Sequence, residues 1–290
     1  MNTPKARSAS DLAALAVVLA GICFGTTGTS QVLYGKGINP LVIGSSRLIV
    51  GAFALWFLSL RDQTSLRFPR IQLWVCALGV AAYQLAFFSA VHLTGVAIAT
   101  ITALGSGPVF TGLFSWLFGH ERPGRAWVIA TFITSVGLVA LNAHTGSNNV
   151  HASGVILALC AGAGFAAFNV AGRSVLKTDY PLSHFISRSF ALAALLISPF
   201  IFIQSLHWIT TIRGSGLILW LGIVATALAY TLYSFGLTHL KASNASTLVL
   251  AEPVTATILS VTVLHNQLNF TSWLGITLVI FGLVYLGINS

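Results

Sequence analysis

The chain has 290 residues, of which 56% are hydrophobic and only 7% are charged. Soluble domains carry about 25% charged residues, so this composition excludes a water-soluble globular protein. The 14 basic and 5 acidic residues give a net charge of +9, which suggests nucleic-acid binding until the positions of the basic residues are considered.

Ten apolar runs, each about 20 residues long, follow one another along the chain. A hydrocarbon core of about 30 Å requires a run of this length for each spanning helix. The runs lack the alternation of barrel strands, and lipid offers the backbone no hydrogen-bond partners outside a helix. We therefore predict an all-α membrane protein. Its ten transmembrane helices are predicted at residues 11–34, 40–60, 71–92, 95–118, 125–143, 152–175, 181–204, 215–237, 241–264 and 270–288.

The basic residues collect on one side of these spans. Only Lys36 and Arg213 fall on the other side, and Arg47 and Arg188 lie within spans. The remaining ten are Lys5, Arg7, Arg61, Arg67, Arg70, Arg122, Arg125, Arg173, Lys177 and Lys241. Because basic loops remain in the cytoplasm, this bias predicts a multi-pass protein of the cell (inner) membrane with both termini cytoplasmic. The positive charge therefore requires no nucleic-acid partner.

Two parts of the chain resemble each other. The sequence PLVIGSSR at 40–47 recurs as PLSHFISR at 181–188, an offset of 141. Tyr83 matches Tyr230 at an offset of 147, and the proline at 108 matches the one at 253 at an offset of 145. Such drifts in offset are expected when a duplicated unit gains and loses loop residues.

The two copies are predicted to have opposite orientations. Each half contains five spans, and because five is odd, the second half enters the membrane from the opposite side. We predict two inverted five-helix repeats, 1–145 and 151–290, related by an axis in the membrane plane. This is a recurring architecture of secondary transporters.

Two segments also resemble a known family. GSGPVFTGLFSWLFGHERP at 105–123 resembles the proline-containing fourth helix and the Gly-x-Glu turn of EamA-type transporters, in the drug/metabolite transporter superfamily. LAEPVTATILSVTVLHNQL at 250–268 resembles its counterpart, except that Asn266 replaces the usual acid. The resemblance implies a ten-helix transporter whose spans 1–4 and 6–9 enclose a central cavity. Within the family, the chain is most similar to bacterial exporters of amino acids, including aromatic ones.

Arg47 and Arg188 each lie seven residues inside a span that opens with proline, about 10 Å deep at 1.5 Å per residue. An arginine at a helix centre costs about 2.5–3.5 kcal/mol by insertion scales. Either each side chain snorkels to the nearby headgroups, or it faces the bundle and binds carbonyl groups or a substrate carboxylate. The repeat favours a paired structural or gating role.

Glu252 is the only acidic residue deep within a span, and Gly107 occupies the equivalent place in the first repeat. Three roles remain open for Glu252: a carrier of a coupling proton, a partner for a substrate ammonium group, or a support for the helix break at Pro253. Pro108 and Pro253 are both interior prolines that kink helices. They act either as hinges for alternating access or as static bends.

Polar and aromatic residues on the spans are candidates to line the cavity and bind substrate. They are Phe24, Thr27, Gln31, Tyr83, Gln84, Phe165, Asn169, Tyr230 and Tyr233. The alternative is that the polar ones bond their own helix backbone and the aromatic ones only fill the core. No His or Cys spacing is typical of a metal site, so we expect no metal and no cofactor.

A secondary-active exporter of small metabolites, foremost amino acids, is the leading functional hypothesis, with protons as a further candidate partner. A channel-like facilitator and an intramembrane enzyme are the alternatives. We do not expect an enzyme, because the sequence lacks a His-Glu-x-x-His or Gly-x-Ser-x-Gly motif, and the absence of a Walker A loop argues against direct use of ATP. A monomer is expected to function alone, with oligomers left open.

Overall fold

The computed structural model describes residues 4–35, 37–60, 69–118, 121–141, 151–178, 180–265 and 267–289. Among the residues used above, Lys36, Arg61, Arg67 and Asn266 lie outside this described part, as do the side chains of Lys5 and Arg7.

Ten helical spans account for nearly all of the described chain, which confirms the prediction of an all-α membrane protein. They are α1 (Pro4–Tyr34), α2 (Pro40–Ser59), α3 (Arg70–Gly95), α4 (Ile98–Leu117), α5 (Arg125–Leu141), α6 (Ala152–Val175), α7 (Leu182–Ile203), α8 (Ile212–His239), α9 (Ala242–Thr262) and α10 (Phe270–Asn289). Nine are long and apolar enough to cross a membrane, and α5 is a shorter apolar helix of 17 residues.

Local sequence explains several helix boundaries. Pro40 is the first residue of α2, and the side-chain oxygen of Asn39 caps the helix by accepting a hydrogen bond from the Leu41 N–H at 2.9 Å. Helices α3 and α4 form one segment that is interrupted only at Gly95, with φ 81° and ψ 160°. A side chain at this position would be strained, so glycine permits the chain to change direction there.

The helix α8 contains a π-helical stretch, Trp220–Leu228. Within it, the Thr226 hydroxyl donates to the Leu221 carbonyl at 2.8 Å, five residues earlier. Such wide turns are rare in proteins, and those that do occur are often found at functional sites. This one ends immediately before Ala229 and Tyr230.

The first helix of each repeat packs against helices of the other repeat. Helix α1 packs against α8 and α9, and α6 packs against α3 and α4. We call α3, α4 and α6 the first half-bundle, and α8, α9 and α1 the second half-bundle. Glycines permit the close contacts: a Cβ at Gly79 would lie 2.6 Å from the Gly164 carbonyl oxygen, and one at Gly21 would lie 2.9 Å from the Val249 carbonyl oxygen.

Two further helix pairs join the repeats. Helix α2 packs against α7, where the Ser45 hydroxyl donates to the Ile197 carbonyl at 3.1 Å, and α5 packs against α10. The α5–α10 contact is built on Gly137 and Gly275, since a Cβ on either would lie within 3.0 Å of the other's carbonyl oxygen. The exchange of α1 and α6 and these two seams are equivalent in the two repeats, as expected of a duplicated unit, and the inverted orientation stays a prediction.

Helix α9 is broken into Ala242–Leu248 and Ala251–Thr262. Pro253 has no N–H and cannot bond the carbonyl four residues earlier, at Val249. The Glu252 N–H donates to that carbonyl instead, at 2.9 Å, which tightens the turn and starts the second segment. Pro253 thus lies in the first turn of a new helix, whereas the helical backbone of α4 continues through Pro108. Only the second repeat has a discontinuous helix at this position, and hinge motion at both prolines stays a prediction.

The α5–α10 contact leads to a stability prediction. Gly275→Ala should force the two helices apart, at a cost of about 1–3 kcal/mol, which is typical of overpacking. The measurement is the melting temperature of the purified protein in detergent. Gly287→Ala is the matched control, because it lies on the same helix and a Cβ there would meet nothing within 4 Å. Equal melting temperatures for the two variants would contradict the contact.

Candidate functional site

The described basic loop residues lie mainly at one end of the bundle. Arg122, Arg173 and Lys241 contact one another's segments there, and we call this the basic end. At the opposite end, Gln204 joins the α7–α8 connection to the α1–α2 connection: its side chain accepts from the Asn39 N–H at 2.8 Å and donates to the Gly37 carbonyl at 2.7 Å. That the basic end faces the cytoplasm stays a prediction.

The two half-bundles are joined near the basic end. The Tyr233 hydroxyl of α8 donates to the Asn169 side-chain oxygen of α6 at 2.6 Å, and both residues are fully buried. One turn further along α6, Arg173 Nη1 donates to the Leu237 carbonyl of α8 at 2.7 Å. Between described residues, every hydrogen bond that crosses from one half-bundle, or its adjoining loop, to the other lies in this half of the molecule.

Arg173 also holds the turn after α4. Its Nε lies 2.8 Å from Glu121 Oε1, and the two side chains are 26% and 18% exposed. Arg173 therefore connects Glu121 in the first repeat with the end of α8 in the second. We call this arrangement of Glu121, Arg173 and the Leu237 carbonyl the ionic latch.

Glu252 lies midway along the bundle at the break in α9. The backbone of its segment packs against Gly21 and Gly25 of α1. Its carboxylate is close enough to interact electrostatically with Arg47 of α2 and Tyr83 of α3. Glu252 is nonetheless partly exposed. Glu252 therefore combines close packing of its backbone on α1 with a side chain that is still partly accessible.

Arg47 is the basic residue of this site, as Glu252 is its acidic residue. Its side chain is only 9% exposed, and its Nε is buried without a hydrogen-bond partner. No ion pair within 4.0 Å joins it to Glu252, and the guanidinium makes no hydrogen bond to the described part of the chain. Arg47 also interacts electrostatically with Tyr83 and Tyr230. We call Arg47, Glu252, Tyr83 and Tyr230 the central polar cluster.

Aromatic side chains surround the cluster. The Tyr230 ring lies 5.0 Å from Phe24, 5.3 Å from Phe168 and 4.4 Å from Phe190, measured between ring centroids. The Tyr83 ring lies 6.2 Å from Phe165. The structure thus assembles Phe24, Phe165, Tyr83 and Tyr230 from four different helices, although contact with a substrate stays a prediction for each.

The sequence analysis did not predict two of the aromatic residues that pack around the central polar cluster, Phe168 and Phe190. Phe168 follows Phe165 by three residues. This spacing places both on one face of α6, so it was a signal from which Phe168 could have been predicted. Phe190 of α7 has Ile49 at its repeat-equivalent position, so the internal repeat carries no signal for it.

Asn169 and Tyr233 lie at the junction between the two half-bundles and have no accessible surface. Both are inaccessible in this conformation, and Asn169 Nδ2 also donates to the Thr111 hydroxyl at 3.4 Å. The pair links α4, α6 and α8. Substrate contact with either residue stays a prediction for another conformation.

The remaining candidates divide by environment. Gln31 Nε2 donates to the Thr27 carbonyl of its own helix at 3.2 Å, as the backbone-bonding alternative expects. Thr27 itself is partly exposed. Gln84 is 4% exposed, with Nε2 lacking a partner in the described part of the chain. A separate groove of about 350 Å³ between α2, α7 and α8 contains none of the predicted site residues.

Arg188 does not share the environment of its repeat partner. Its side chain is exposed and lies over the Tyr180 ring at 5.8 Å from the centroid, whereas Arg47 is buried. The expected similarity of the two arginines therefore fails: one belongs to the central polar cluster and the other lies on the surface of α7.

Comparison with known proteins gives a consistent result. The sequence model of the EamA-like transporter family matches residues 11–143 and again 152–288. The uncharacterized transporter YwfM of Bacillus subtilis is 36% identical over 274 residues, covering 93% of this chain and 92% of the relative. The uncharacterized inner membrane transporter YicL of Salmonella typhimurium is 25% identical over 215 residues, covering 73% of this chain and 71% of the relative.

A solved crystal structure has the same fold. It superposes with a TM-score of 0.79 and covers 94% of this chain and 95% of its own, at 21% identity. At this identity the likeness concerns the fold alone.

The tyrosines of the site make a testable contrast. Tyr233→Phe removes a buried hydrogen bond and leaves the Asn169 oxygen unpaired, so it should destabilise the protein by about 1–3 kcal/mol. Tyr83→Phe should cost little, because its hydroxyl has no hydrogen-bond partner in the described part of the chain. Thermal unfolding of both variants in detergent tests this. A larger loss for Tyr83→Phe would refute the assignment of the two hydroxyls.

Proposed function

The chain belongs to the EamA-like transporter family, and we propose that it exports amino acids, foremost neutral and aromatic ones, by alternating access between its two half-bundles. It is a multi-pass membrane transporter. The direction, the substrate class and the mechanism are the proposed parts. The proposed mechanism is based on where the hydrogen bonds between the two half-bundles lie.

Alternating access requires that the two ends of the pathway be sealed in turn. The described bonds between the half-bundles, from Asn169–Tyr233 to the ionic latch, all lie near the basic end. The second segment of α9 packs instead on α1 within its own half-bundle. This arrangement supports a state that is closed at the basic end and free to admit solutes at the opposite end.

The inverted repeat supports a bias toward this state. By the repeat offsets, Glu121 corresponds to position 266, which is Asn, and Arg173 corresponds to Val32. The state closed at the opposite end therefore has no equivalent ion pair. Charge-assisted hydrogen bonds contribute about 1.5–3 kcal/mol each, and 1.4 kcal/mol is a tenfold change in an equilibrium constant. Loss of the ionic latch should thus shift the equilibrium markedly.

The central polar cluster supports the substrate class. Arg47 and Glu252 offer one positive and one negative group, and the rings of Phe24, Phe165 and Tyr83 offer an apolar wall. A small molecule with both charges and an apolar side chain matches these properties. A neutral hydrocarbon would leave both charges unsatisfied in the membrane interior.

Counterflow tests the proposed activity. In proteoliposomes loaded with an unlabelled amino acid, the external labelled amino acid should accumulate transiently, and its uptake should saturate with concentration. A panel of aromatic, neutral, acidic and basic amino acids identifies the class, and empty liposomes are the control. Uptake that neither saturates nor shows counterflow would favour the channel-like facilitator, and no uptake of any amino acid would remove the substrate proposal.

The ionic latch makes a conformational prediction. In a variant without the three native cysteines, Ser115→Cys places a thiol in the small cavity beside Glu121 and Arg173, where Ser115 is 2% exposed. Adding Arg173→Met should speed labelling by a membrane-impermeant maleimide from the basic end about tenfold, because about 1.4 kcal/mol or more of closing free energy is lost.

Two controls accompany that measurement. Arg213→Met removes a cation at the opposite end and should leave the labelling rate unchanged. The exchanged pair Glu121→Arg with Arg173→Glu should recover part of the protection, since it restores the ion pair without the bond to Leu237. Unchanged labelling after Arg173→Met would show that the latch does not hold the basic end closed.

A further inference from the structure

We propose that the groove between α2, α7 and α8 holds one acyl chain of an anionic phospholipid, whose charged headgroup lies at the basic end. None of the groove residues belongs to the central polar cluster, so such a lipid can bind whichever solute the protein transports. The partner is a lipid at a defined site, in addition to the lipid that surrounds any membrane protein.

The groove lies at the basic end of the bundle. Its lining comes from the last turns of α2 and α8 and the first turn of α7, and includes Ser59, Thr238 and Leu182. Arg173 Nη1 donates to the Thr238 carbonyl at 3.4 Å, so the groove adjoins the ionic latch. The lining continues along α8 to Thr231, seven residues or about 10 Å further into the bundle. A chain that enters at this end therefore passes from the headgroup region into the hydrocarbon.

The groove has a closed floor and an open rim. Leu55, Ile186 and Ser234 on the floor are buried, whereas Leu58 and Phe235 on the rim are exposed. Since exposed apolar residues of a spanning helix face lipid, the groove is open to the bilayer. Its volume of about 350 Å³ is within the range of about 300–1,000 Å³ that is typical of ligand sites.

The lining is apolar in spite of its hydroxyl groups. Half of the ten lining residues are serine or threonine, which would suggest a site for a polar solute. Four of these hydroxyls, however, donate to a carbonyl three or four residues earlier on the same helix, at 2.6–2.8 Å: those of Ser59, Thr231, Ser234 and Thr238. A polar solute or a water molecule would therefore find few donors there. A hydrocarbon chain needs none and gains dispersion contacts with the lining.

The charges at this end favour an anionic headgroup. Each helix of the groove has a basic residue within five positions of the lining in the sequence: Arg61 for α2, Lys177 for α7 and Lys241 for α8. Lys177 and Lys241 are exposed. Basic residues near a membrane surface attract anionic headgroups, and basic pockets between spanning helices bind them. The loops of the opposite end contain only Lys36 and Arg213.

The test uses phosphatidylglycerol with a diazirine in one acyl chain, added to the purified full chain in phosphatidylcholine nanodiscs. After illumination, peptide mass spectrometry locates the adducts. Adducts on Leu58 and Phe235 in the groove should exceed those on Phe281 and Val284, which are exposed on α10, by about fivefold or more.

The headgroup is tested by competition. Replacing about a tenth of the phosphatidylcholine by unlabelled phosphatidylglycerol should lower the groove adducts about fivefold, whereas phosphatidylethanolamine, which has no net charge, should lower them much less. The difference between the two lipids should shrink at high ionic strength, because salt screens the attraction of the headgroup to the basic residues.

Filling the groove should remove the site. Thr231→Trp places a large side chain in the groove and should lower the groove adducts about fivefold. Thr277→Trp is the matched control, because Thr277 is exposed on α10 and its hydroxyl donates back within its own helix, as that of Thr231 does. Leu58→Trp narrows the groove from the exposed rim of α2, and it should have the same effect if Thr231→Trp does not fold.

Other results would overturn the inference in distinguishable ways. Equal labelling of the groove and of α10 would mean that the groove holds only boundary lipid, and unchanged labelling in both tryptophan variants would mean that the lipid binds elsewhere. Equal competition by the two unlabelled lipids would show that the headgroup charge is not recognised. Displacement of the label by L-phenylalanine and not by phosphatidylglycerol would place the groove on the transport pathway instead.

Discussion

Hydrocarbon offers no hydrogen-bond partner, and this constraint governs both the helices and the site of this protein. It makes each span a helix that satisfies its own backbone, and it makes any break in a helix a local problem that the neighbouring residues must solve. At Pro253 the solution is the bond from the Glu252 N–H to the Val249 carbonyl, which starts a second helical segment. The same constraint makes the buried Nε of Arg47, which has no hydrogen-bond partner in the described part of the chain, costly in the membrane interior.

The exchange of α1 and α6 between the repeats determines which parts can move together. Each half-bundle contains helices from both repeats, held by glycine contacts such as Gly79–Gly164 and Gly21 against Val249. A rigid motion of one repeat against the other would separate these contacts. The proposed relative motion of the half-bundles would preserve them and would break the bonds near the basic end, where Asn169, Tyr233 and Arg173 cross between them.

The duplicated scaffold and the functional groups follow different rules. Positions that build the architecture, such as the prolines at 108 and 253, occur in both repeats. The charged positions do not: Glu252 has Gly107 as its counterpart, Arg173 has Val32, and Arg47 and Arg188 share an identity but not an environment. A symmetric scaffold can therefore carry a single asymmetric site and a latch at one end only.

The sequence by itself determined the ten spans, the inverted duplication and the break near Pro253, because these follow from run length, parity and the missing proline N–H, all of which are local. It also singled out all four members of the central polar cluster, because polar groups within apolar spans are conspicuous. Only the tertiary structure decided that Arg47 is buried while Arg188 is exposed, that Asn169 and Tyr233 bond each other, and that Phe190 joins the site. These outcomes depend on which helix faces meet between residues far apart in the sequence, and an apolar span has no pattern that distinguishes the face toward lipid from the face toward a neighbouring helix.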